Sequence, residues 1–319
     1  IVSAIYNDKD LLWYENDGSQ NFTKRTIDAS LAGNGNHCTV VDLDGDNDLD
    51  IIASAFDLGD VVWYKNDGSQ NFSKIVIDSN FRGANAIYPT DLDGDGDLDI
   101  VVATTWDDDI SWFENNGSQS FTAITVATSA DEPLSVAVAD MDGDGDIDIV
   151  SASKSDNTVA WYENDGAADP SFSATDIITN LNRPKHADVA DVDSDGDMDI
   201  IVASQNDDQI RWIENNNGYA SSWTARDIST QADAPQGVFA ADIDGDGHLD
   251  VLSGSRRDGV IAWYENKSSS RRGDGLVKYQ LLPNKSTSQR TGTITIGNKT
   301  HTVTQAGLAV QFEPPLITG

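Results

Sequence analysis

Aspartate residues recur at alternate positions in five short segments of the chain. The pattern Asp-x-Asp-Gly-Asp-x-Asp-x-Asp begins at Asp42, Asp91, Asp140, Asp191 and Asp242, with Ser194 in place of Gly in the fourth copy. Carboxylates at alternate positions of a tight loop converge on one point, where without a cation they repel one another and some must bind protons. A hard divalent ion removes that cost, and carboxylate and carbonyl oxygens are the ligands that calcium prefers. The spacing therefore predicts one calcium ion in each acidic loop, about five in all.

Positions within the loop have different predicted roles. Counted from Asp42 as position 1, the side-chain ligands are expected at positions 1, 3, 5 and 9, which are Asp42, Asp44, Asp46 and Asp50. Position 7 is expected to contribute only its backbone carbonyl, because it is His248 in the last loop while positions 1, 3, 5 and 9 are Asp in all five. Position 6 is Gly in four loops and Asn47 in the other, which suits a left-handed backbone conformation.

The loops begin like that of an EF-hand, but the rest of the pattern excludes this motif. An EF-hand requires an acidic residue at position 12 and a helix on each side of the loop. Position 12 is occupied here by Ala53, Val102, Ser151, Val202 and Ser253. Because the flanking segments also have the pattern of strands, an EF-hand is rejected.

The acidic loops belong to a longer repeat that must position them. Successive loops start 49, 49, 51 and 51 residues apart, and thirteen residues after the last Asp of each loop stands Trp63, Trp112, Trp161, Trp212 or Trp263. Each Trp opens a Trp-[Tyr/Phe/Ile]-[Glu/Lys]-Asn signature, and a sixth copy begins at Trp13 without an acidic loop. The apolar runs and Asn-Gly type turns of each repeat indicate four antiparallel strands, which is the composition of a propeller blade. The sequence therefore predicts an all-β propeller of four-stranded antiparallel blades, six in number, with seven as the alternative.

The two ends of the chain define the predicted domain boundaries. Blade 1 lacks its first strand and its acidic loop, so another segment is needed at its open edge. We assign residues 1–285 to the propeller and residues 286–319 to a C-terminal hairpin or tail. The stretch from Thr291 to Gln305 has the alternation of a hairpin, and it could close the ring, join a seventh blade or form a separate small unit.

The loops and the length of the repeat resemble the FG-GAP/VCBS repeat family, whose calcium-binding propellers include the head of integrin α subunits and many secreted bacterial proteins. The resemblance covers roughly residues 1 to 285, although the Phe-Gly and Gly-Ala-Pro elements that name the family are not evident, which places the chain nearer the bacterial VCBS-type branch. At the other end, Gly292-Thr-Ile-Thr-Ile and Val303-Thr-Gln resemble the last strands of a BACON-type module. The resemblance implies calcium ligands at Asp42, Asp44, Asp46, Asp50, Asp91, Asp93, Asp95, Asp99, Asp140, Asp142, Asp144, Asp148, Asp191, Asp193, Asp195, Asp199, Asp242, Asp244, Asp246 and Asp250, with Asp48, Asp97, Asp146, Asp197 and His248 at position 7.

The composition restricts the functions that are open to the chain. The formal net charge of −34 argues against nucleic-acid binding, because phosphates would be repelled. No apolar run has the length of a membrane span, and the single Cys38 excludes an intramolecular disulfide. Extracellular calcium modules bind the ion with a Kd of about 10⁻⁴–10⁻³ M, so such sites would be mostly empty in the cytosol. We therefore expect an extracellular or cell-surface protein, although no signal peptide is visible in this chain.

The face of the propeller opposite the acidic loops is the expected ligand face. It carries the turns between the second and third strands and the links between blades, which vary most from repeat to repeat. Five residues before two of the loops stand His37 and His186, which in a six-bladed ring could face each other across the axis. Aromatic rings beside cationic side chains suit an acidic or polyhydroxylated glycan, through stacking and charge-assisted hydrogen bonds. The candidate ligand-binding residues are Tyr6, His37, Arg82, Trp106, Arg183, Lys185, His186 and Arg256.

Three functions are compatible with these patterns. The preferred one is a binding or adhesion module for a glycan or protein ligand, with no residue assigned as catalytic. The first alternative is a polysaccharide lyase, in which His37 or His186 is the base, Tyr6 or Tyr88 the acid, and Arg183 neutralises a uronate carboxylate. The second alternative is a structural propeller that spaces or assembles the parts of a larger secreted protein.

Overall fold

The computed structural model of the protein describes residues 1–5, 9–19, 21–31, 35–267, 278–281, 290–296 and 299–305. All 25 regular elements in these residues are β-strands. They form six antiparallel sheets that follow one another along the chain, and one separate two-stranded sheet. The protein is therefore an all-β propeller of six blades, as the six Trp signatures predict.

Blades 2 to 6 each contain four strands, which we call inner, second, Trp and outer strand in chain order. Blade 1 contains three described strands, β1 (Val2–Ala4), β2 (Leu11–Asn16) and β3 (Phe22–Asp28). Blade 2 contains β4 (Gly35–Val41), β5 (Asp50–Ala55), β6 (Asp60–Asn66) and β7 (Phe72–Asp78), and blade 3 contains β8 (Ala84–Thr90), β9 (Asp99–Thr104), β10 (Asp109–Asn115) and β11 (Phe121–Ala127). Blade 4 contains β12 (Pro133–Ala139), β13 (Asp148–Ser153), β14 (Thr158–Asn164) and β15 (Phe172–Ile178), and blade 5 contains β16 (Pro184–Ala190), β17 (Asp199–Ser204), β18 (Gln209–Asn215) and β19 (Trp223–Ser229). Blade 6 contains β20 (Pro235–Ala241), β21 (Asp250–Ser255), β22 (Ile261–Tyr264) and β23 (Lys278–Leu281).

The hydrophobic core lies between the blades. Five clusters of buried apolar side chains fill the interfaces between successive blades from blade 1 to blade 6. Between blades 3 and 4, Trp112 is 1% exposed and belongs to one cluster with Val136, Ile149 and Tyr162. Trp63 and Trp161 occupy the corresponding places in two other clusters. These three signature residues are inter-blade core, as the repeat predicts.

The inner strands carry a β-bulge at the same place in blades 2 to 6. In blade 5, Pro184 pairs with Ser204 and His186 pairs with Ala203, so Lys185 has no partner across the ladder. The bulged residues in the other blades are Asn36, Asn85, Leu134 and Gln236. Because a bulge re-aims the side chains around it, the adjacent residues Lys185 and His186 both line the central channel.

The ends of the described chain agree with the sequence in two respects. The described part of blade 1 has no inner strand, and the predicted hairpin is present as β24 (Arg290–Ile296) paired with β25 (Lys299–Gln305). Among the described strands the hairpin is a sheet of its own, so closure of the ring by residues 286–319 and the resemblance to a BACON-type module stay predictions. No helix with the length and apolar character of a membrane span occurs in the described ranges.

Candidate functional site

Each acidic loop brings three carboxylate oxygens within 4.8 Å of one another. Position 9 completes the cluster in blades 2 and 3, whereas position 5 completes it in blades 4 to 6. Position 7 belongs to none of the five clusters. The clusters consist of Asp42, Asp44 and Asp50; Asp91, Asp93 and Asp99; Asp140, Asp142 and Asp144; Asp191, Asp193 and Asp195; and Asp242, Asp244 and Asp246.

The backbone of each loop curls around the carboxylate at position 1. In blade 2, Asp42 accepts hydrogen bonds from the N–H groups of Asp46 and Asn47 at 3.1 and 2.8 Å. In blade 3, the N–H of Gly96 donates to Asp91 at 3.1 Å. Position 6 has a φ of 71° at Asn47 and 100° at Gly96, which is the left-handed conformation that the sequence predicts. Gly and Asn adopt it at the lowest cost.

The Asp at position 9 is buried and fastens the loop to the Trp strand. In blade 3, Oδ2 of Asp99 accepts the N–H of Leu92 at 3.0 Å, and Oδ1 accepts the N–H of Asn115 at 2.7 Å. In blade 2 the position 9 carboxylate, that of Asp50, also accepts the indole N–H of Trp63 at 2.9 Å. Asp50, Asp148, Asp199 and Asp250 make the same two backbone hydrogen bonds in their blades.

Sequence reasoning treated position 9 only as a metal ligand and missed this structural role. A signal for it was present, because the Trp and the Asn of each signature follow position 9 at fixed distances of thirteen and sixteen residues. The fixed distances are those that the hydrogen bonds require. A carboxylate oxygen has more than one lone pair, so the N–H bonds leave room for a metal ion as well.

Burial and mutual repulsion disfavour the charged form of several loop carboxylates. Burial raises the pKa of Asp99, Asp148 and Asp199 to about 6, in spite of the N–H donors that lower it. Burial, followed by the charge of Asp195, raises the pKa of Asp193. Since each shift opposes the charged form, a bound cation would stabilise these loops.

Three loops contain a carboxylate oxygen that lacks a partner. The Oδ1 atoms of Asp44, Asp91 and Asp193 are buried and accept no hydrogen bond from any described group. A buried acceptor without a partner is unfavourable, and a metal ion in the centre of the cluster would satisfy it. The donor set consists of oxygen atoms alone, so the residues fit a hard divalent ion such as calcium.

The carboxylate at position 7 packs against the turn between the Trp strand and the outer strand. In blade 3, the carboxylate of Asp97 occupies the space that a Cβ on Gly117 would need, and the φ of Gly117 is 71°. The equivalent pairs are Asp48 with Gly68, Asp146 with Gly166, and Asp197 with Gly218. The turn therefore requires glycine both for its backbone conformation and for this close approach.

On the opposite face, hydrogen bonds join the inter-blade links to the turns between second and Trp strands. The N–H groups of Lys154 and Arg256 donate to the carbonyls of Glu132 and Ala234 at 3.2 and 3.0 Å. In blade 5 the N–H of Gln205 donates to the carbonyl of Arg183 at 3.0 Å. Because the links lead into the inner strands, these contacts gather side chains of several blades at the mouth of the central channel.

The central channel contains a cavity of about 480 Å³ that is lined by the inner strands of blades 2 to 6. His37 and His186 both line it, and their Nδ1 atoms are buried without a hydrogen-bond partner among the described residues. Burial, followed by the charge of His186, lowers the pKa of His37 to about 4. Burial, followed by the charge of Lys185, lowers the pKa of His186. Both imidazoles are therefore neutral at pH 7.

Lys185 lies beside this cavity within electrostatic reach of three other cationic side chains. Lys185 lines the cavity next to His186. Burial, followed by the charges of Arg183, Lys154 and Arg256, lowers the pKa of Lys185 to about 8. The sequence prediction contained Arg183, Lys185 and Arg256, and Lys154 occupies the position in blade 4 that Arg256 occupies in blade 6. We call these four residues the Lys185 cluster.

A second group of candidate residues lies on blades 2 and 3. The rings of Phe56 and Trp106 meet edge to face with their centroids 4.7 Å apart. The guanidinium carbon of Arg82 lies 5.7 Å from the centroid of the Trp106 ring. Trp106 is 45% exposed, so its indole is held by two neighbours and still accessible. We call these three residues the Trp106 platform.

The structure therefore divides the predicted ligand residues between two places. His37, Lys185 and His186 line the channel with Arg183 and Arg256 near Lys185, whereas Arg82 and Trp106 belong to the platform. Tyr6 lies outside the described residues. Sequence reasoning missed Asp188 and Phe239, which line the cavity two residues after His186 and Gly237. The period of two along the inner strands was the available signal for both.

The fold and the loops together define a class of protein, a six-bladed β-propeller with an acidic, metal-binding type of loop in five blades. The chain belongs to the FG-GAP-like repeat family. The family model matches residues 1–53, 42–102, 91–151, 140–202 and 191–253, each match spanning two successive acidic loops or, in the first, blade 1 and the first loop.

Solved structures share the fold at low sequence identity. Virginiamycin B lyase from Staphylococcus aureus has a TM-score of 0.59 and 10% identity, with 89% of this chain and 84% of that chain covered. A protein of unknown function from Desulfotomaculum acetoxidans has a TM-score of 0.62 and 12% identity over 90% and 84% of the two chains. A protein from Lactobacillus plantarum has a TM-score of 0.61 and 14% identity over 88% and 81%. No curated protein matches the chain.

Replacement of the position 9 carboxylate tests its role as a structural acceptor. In EDTA, we expect Asp99→Asn to lower the free energy of unfolding by about 1–3 kcal/mol, because the amide group faces a backbone N–H with a second donor. The matched control is Asp95→Asn in the same loop. The amide oxygen can still accept the N–H of Asp97, which Asp95 accepts at 2.9 Å, so the change should stay within about 0.5 kcal/mol. Urea unfolding measures both variants, and equal losses would contradict the structural role.

Proposed function

We propose that this protein is an extracellular, calcium-stabilised propeller that acts as a binding or adhesion module for a glycan or protein ligand. In this proposal the acidic loops hold metal on one face, and the opposite face takes the ligand. The main support for a ligand site on this face is Trp106, whose side chain is 45% exposed although Phe56 and Arg82 hold it in place. An ordered and accessible indole beside a cation is the kind of anchor that dominates recognition surfaces.

Calcium is the ion that the acidic loops fit best. Calcium takes six to eight oxygen ligands in flexible geometry, whereas magnesium demands a small octahedral site. Carboxylates at positions 1, 3, 5 and 9 with a carbonyl at position 7 supply such a set, and the partnerless Oδ1 atoms of Asp44, Asp91 and Asp193 support it. The bound ion would be structural, because it would join the two ends of the loop and, through position 9, the Trp strand.

An extracellular location follows from the affinity expected of such loops. Extracellular calcium modules have a Kd of about 10⁻⁴–10⁻³ M, which requires the calcium concentration found outside the cell. FG-GAP-like repeats are typical of extracellular proteins, which supports the same location.

A glycan is the ligand class that the chemistry of the ligand face favours. A sugar ring can stack on the indole of Trp106, while its hydroxyl groups accept hydrogen bonds from Arg82. The channel offers further amide groups, since Asn36, Asn85 and Gln236 line it. Side chains that both donate and accept suit hydroxyl groups better than a purely apolar surface does.

A lyase is the second candidate function, and the channel histidines favour it. With a pKa of about 4, His37 is unprotonated at pH 7 and can accept a proton. The Lys185 cluster lies next to His186 and could neutralise the carboxylate of a uronate. The virginiamycin B lyase is similar in fold at 10% identity, and a shared fold alone does not carry its activity.

Removal of calcium tests the metal part of the proposal. We expect excess EDTA to lower the melting temperature strongly, because an ion that binds only the folded state stabilises it by mass action. Readdition of calcium should restore the original value, with a total of about five ions bound per chain at saturation, one for each acidic cluster. Differential scanning calorimetry and equilibrium dialysis give the two quantities. A melting temperature that EDTA leaves unchanged would overturn the calcium scaffold.

Replacement of Trp106 tests the ligand face. We expect Trp106→Ala to weaken binding to the glycans that the protein selects on an array, in calcium, by about tenfold or more, because aromatic anchors contribute about 2 kcal/mol. The control is Tyr219→Ala, since Tyr219 is 72% exposed in a turn on the face of the acidic loops. An equal loss in both variants, or none in Trp106→Ala, would count against this face. Ultraviolet absorbance of the same mixtures detects the unsaturated product of a lyase.

A further inference from the structure

The Lys185 cluster concentrates positive charge in a chain that has little of it. The sequence contains 20 Lys and Arg residues against 54 Asp and Glu. Nevertheless, Lys154 of blade 4, Arg183 and Lys185 of blade 5, and Arg256 of blade 6 are close enough for three of them to depress the pKa of the fourth. Like charges repel, so a protein without a use for this arrangement would be more stable with these residues apart.

Hydrogen bonds of the backbone hold the cluster in place. The N–H groups of Lys154 and Arg256 are bonded to the links of their own blades at 3.2 and 3.0 Å. Arg183 has a φ of 62°, and its N–H donates to Oδ1 of Asn157 in the preceding blade at 3.0 Å. A left-handed conformation at a residue other than glycine is unfavourable and tends to occur at functional positions. The backbone positions that carry these cationic side chains are therefore fixed.

Lys185 has no counterion among the described residues. Its ammonium group makes no hydrogen bond or ion pair with any of them, although most of the side chain is buried. The acidic side chain in the neighbourhood, Glu132, is paired with Lys154 at 2.8 Å. Asp188, on the same strand, accepts the N–H of Ala240 at 2.9 Å. A partly buried cation among like charges is stabilised when an anionic ligand supplies a partner.

We propose that the Lys185 cluster binds the anionic group, carboxylate or sulfate, of an acidic glycan at the mouth of the channel. This proposal rests on the proposed binding function and names the class of its ligand. A guanidinium group can hold two oxygens of an anion side by side, and Lys185 would contribute a point charge from the lining of the cavity. The amide side chains of the channel would receive the hydroxyl groups of the same sugar.

The charge of the whole protein selects an acidic sugar over a long polyanion. At physiological ionic strength the screening length is about 8 Å, so one anionic group at the cluster interacts chiefly with the nearest cations. A nucleic acid would place many phosphates over the surrounding acidic surface, in a chain whose formal net charge is −34. Phe239 and Tyr88 line the same cavity and provide ring faces for a sugar.

Three small probes test the proposal without knowledge of the natural ligand. Galacturonate, galactose 6-sulfate and galactose are titrated against the calcium-loaded protein, with the lysines reductively methylated with ¹³C so that NMR reports on Lys185. We expect a saturable shift of the Lys185 signal with galacturonate, with galactose 6-sulfate, or with both, and none with galactose. Lys185→Gln identifies the signal by its loss. Comparison of the shifts with galacturonate and with galactose 6-sulfate would show whether a carboxylate or a sulfate is preferred.

The variants distinguish a ligand site from a structural lysine. In calorimetric titrations, Lys185→Gln and Arg256→Gln should each weaken binding of the anionic probe by at least about tenfold, because each removes a charge-assisted hydrogen bond. Lys185→Gln should also raise the melting temperature of the ligand-free protein, since it removes a buried cation from among like charges. A structural lysine would lower it. Lys24→Gln, at an exposed position of blade 1, should change neither quantity.

The pH dependence of binding carries a signature of Lys185. The pKa of about 8 predicts that affinity for the anionic probe falls between pH 7 and pH 9, as Lys185 loses its proton. The hydrogen bond from Lys154 lowers the pKa of Glu132, which stays ionised in this range, and the lowered pKa of His186 keeps its imidazole neutral. The fall should be absent in Lys185→Gln.

Equal binding of galacturonate and galactose, or no shift with either anion, would overturn this proposal. Loss of all array binding would instead overturn the proposed function.

A second, independent observation concerns the acidic loop of blade 2. The third residue of the Trp signature is Glu15, Glu114, Glu163, Glu214 or Glu265 in five blades and Lys65 in blade 2. The ammonium group of Lys65 contacts Oδ2 of Asp44 and lies 3.8 Å from Oδ2 of Asp46. In the other loops an acidic residue takes this place; for example, Glu163 adds negative charge beside Asp142.

We infer that Lys65 is an internal counterion that lowers the calcium affinity of the blade 2 loop below that of the other four loops. The ammonium group and the metal ion would compete for the carboxylate of Asp44, and the positive charge of Lys65 would repel the ion. The loops of blades 3 to 6 have no such cation in their clusters among the described residues. The chain would therefore bind four calcium ions more tightly and a fifth more weakly.

Calcium titration of Lys65 variants tests this inference. Isothermal calorimetry of the protein should resolve four stronger sites and one weaker site, and Lys65→Gln should raise the affinity of the weaker site by about tenfold or more. In EDTA the same variant should melt at a lower temperature, because Asp44 and Asp46 lose their counterion. Lys24→Gln removes an exposed charge and should alter neither result. Five equal sites in the unchanged protein, or a fifth site that Lys65→Gln leaves unaltered, would overturn the inference.

Discussion

The buried carboxylate at the end of each acidic loop is the interaction on which the propeller depends. It accepts one N–H from the start of its loop and another from the end of the Trp strand, so that loop and blade share one hydrogen-bonded centre. The Asn that supplies the second N–H extends the connection to the preceding blade. The amide of Asn215 donates to the carbonyl of Met141 at 3.0 Å, and that of Asn266 to Val192 at 2.8 Å. A metal ion at this centre would therefore stabilise the packing between blades as well as the loop itself.

The hydrogen bonds that fasten the loops to the blades lie on the face of the acidic loops. Residues on the opposite face are therefore free to vary. The acidic loops, their Asn-Gly type turns and the signature Trp residues all contribute to folding, and the loops could also hold metal ions. On the opposite face, the hydrogen bonds between the inter-blade links and the turns join backbone groups, as between Gln205 and Arg183, so that different side chains can make the same contact. Lys154, Gln205 and Arg256 can therefore differ from blade to blade while their backbones make equivalent contacts. Such a division is how one scaffold presents different binding surfaces.

The sequence was sufficient to predict features that repeat, and insufficient for features that depend on contacts between repeats. The number of blades, the four strands of each repeat and the left-handed backbone at Asn47 follow from spacing and local chemistry. The bond from Asn215 to Met141 joins residues 74 positions apart, and no local pattern shows it. The bulge at Lys185 also escapes a simple alternation, because the extra residue shifts which side chains face the channel.

Metal dependence is distributed unevenly around the ring. Blade 1 has no acidic loop, and blade 2 has a lysine among its carboxylates, whereas blades 3 to 6 have clusters of acidic groups alone. Blades 1 and 2, which we expect calcium to stabilise least, are adjacent. Blade 1 also lacks its inner strand among the described residues. Calcium would therefore make one continuous arc, from blade 3 to blade 6, the rigid part of the protein. The Lys185 cluster belongs to blades 4 to 6, within this arc, where bound calcium would hold the surrounding blades against the repulsion between its cations.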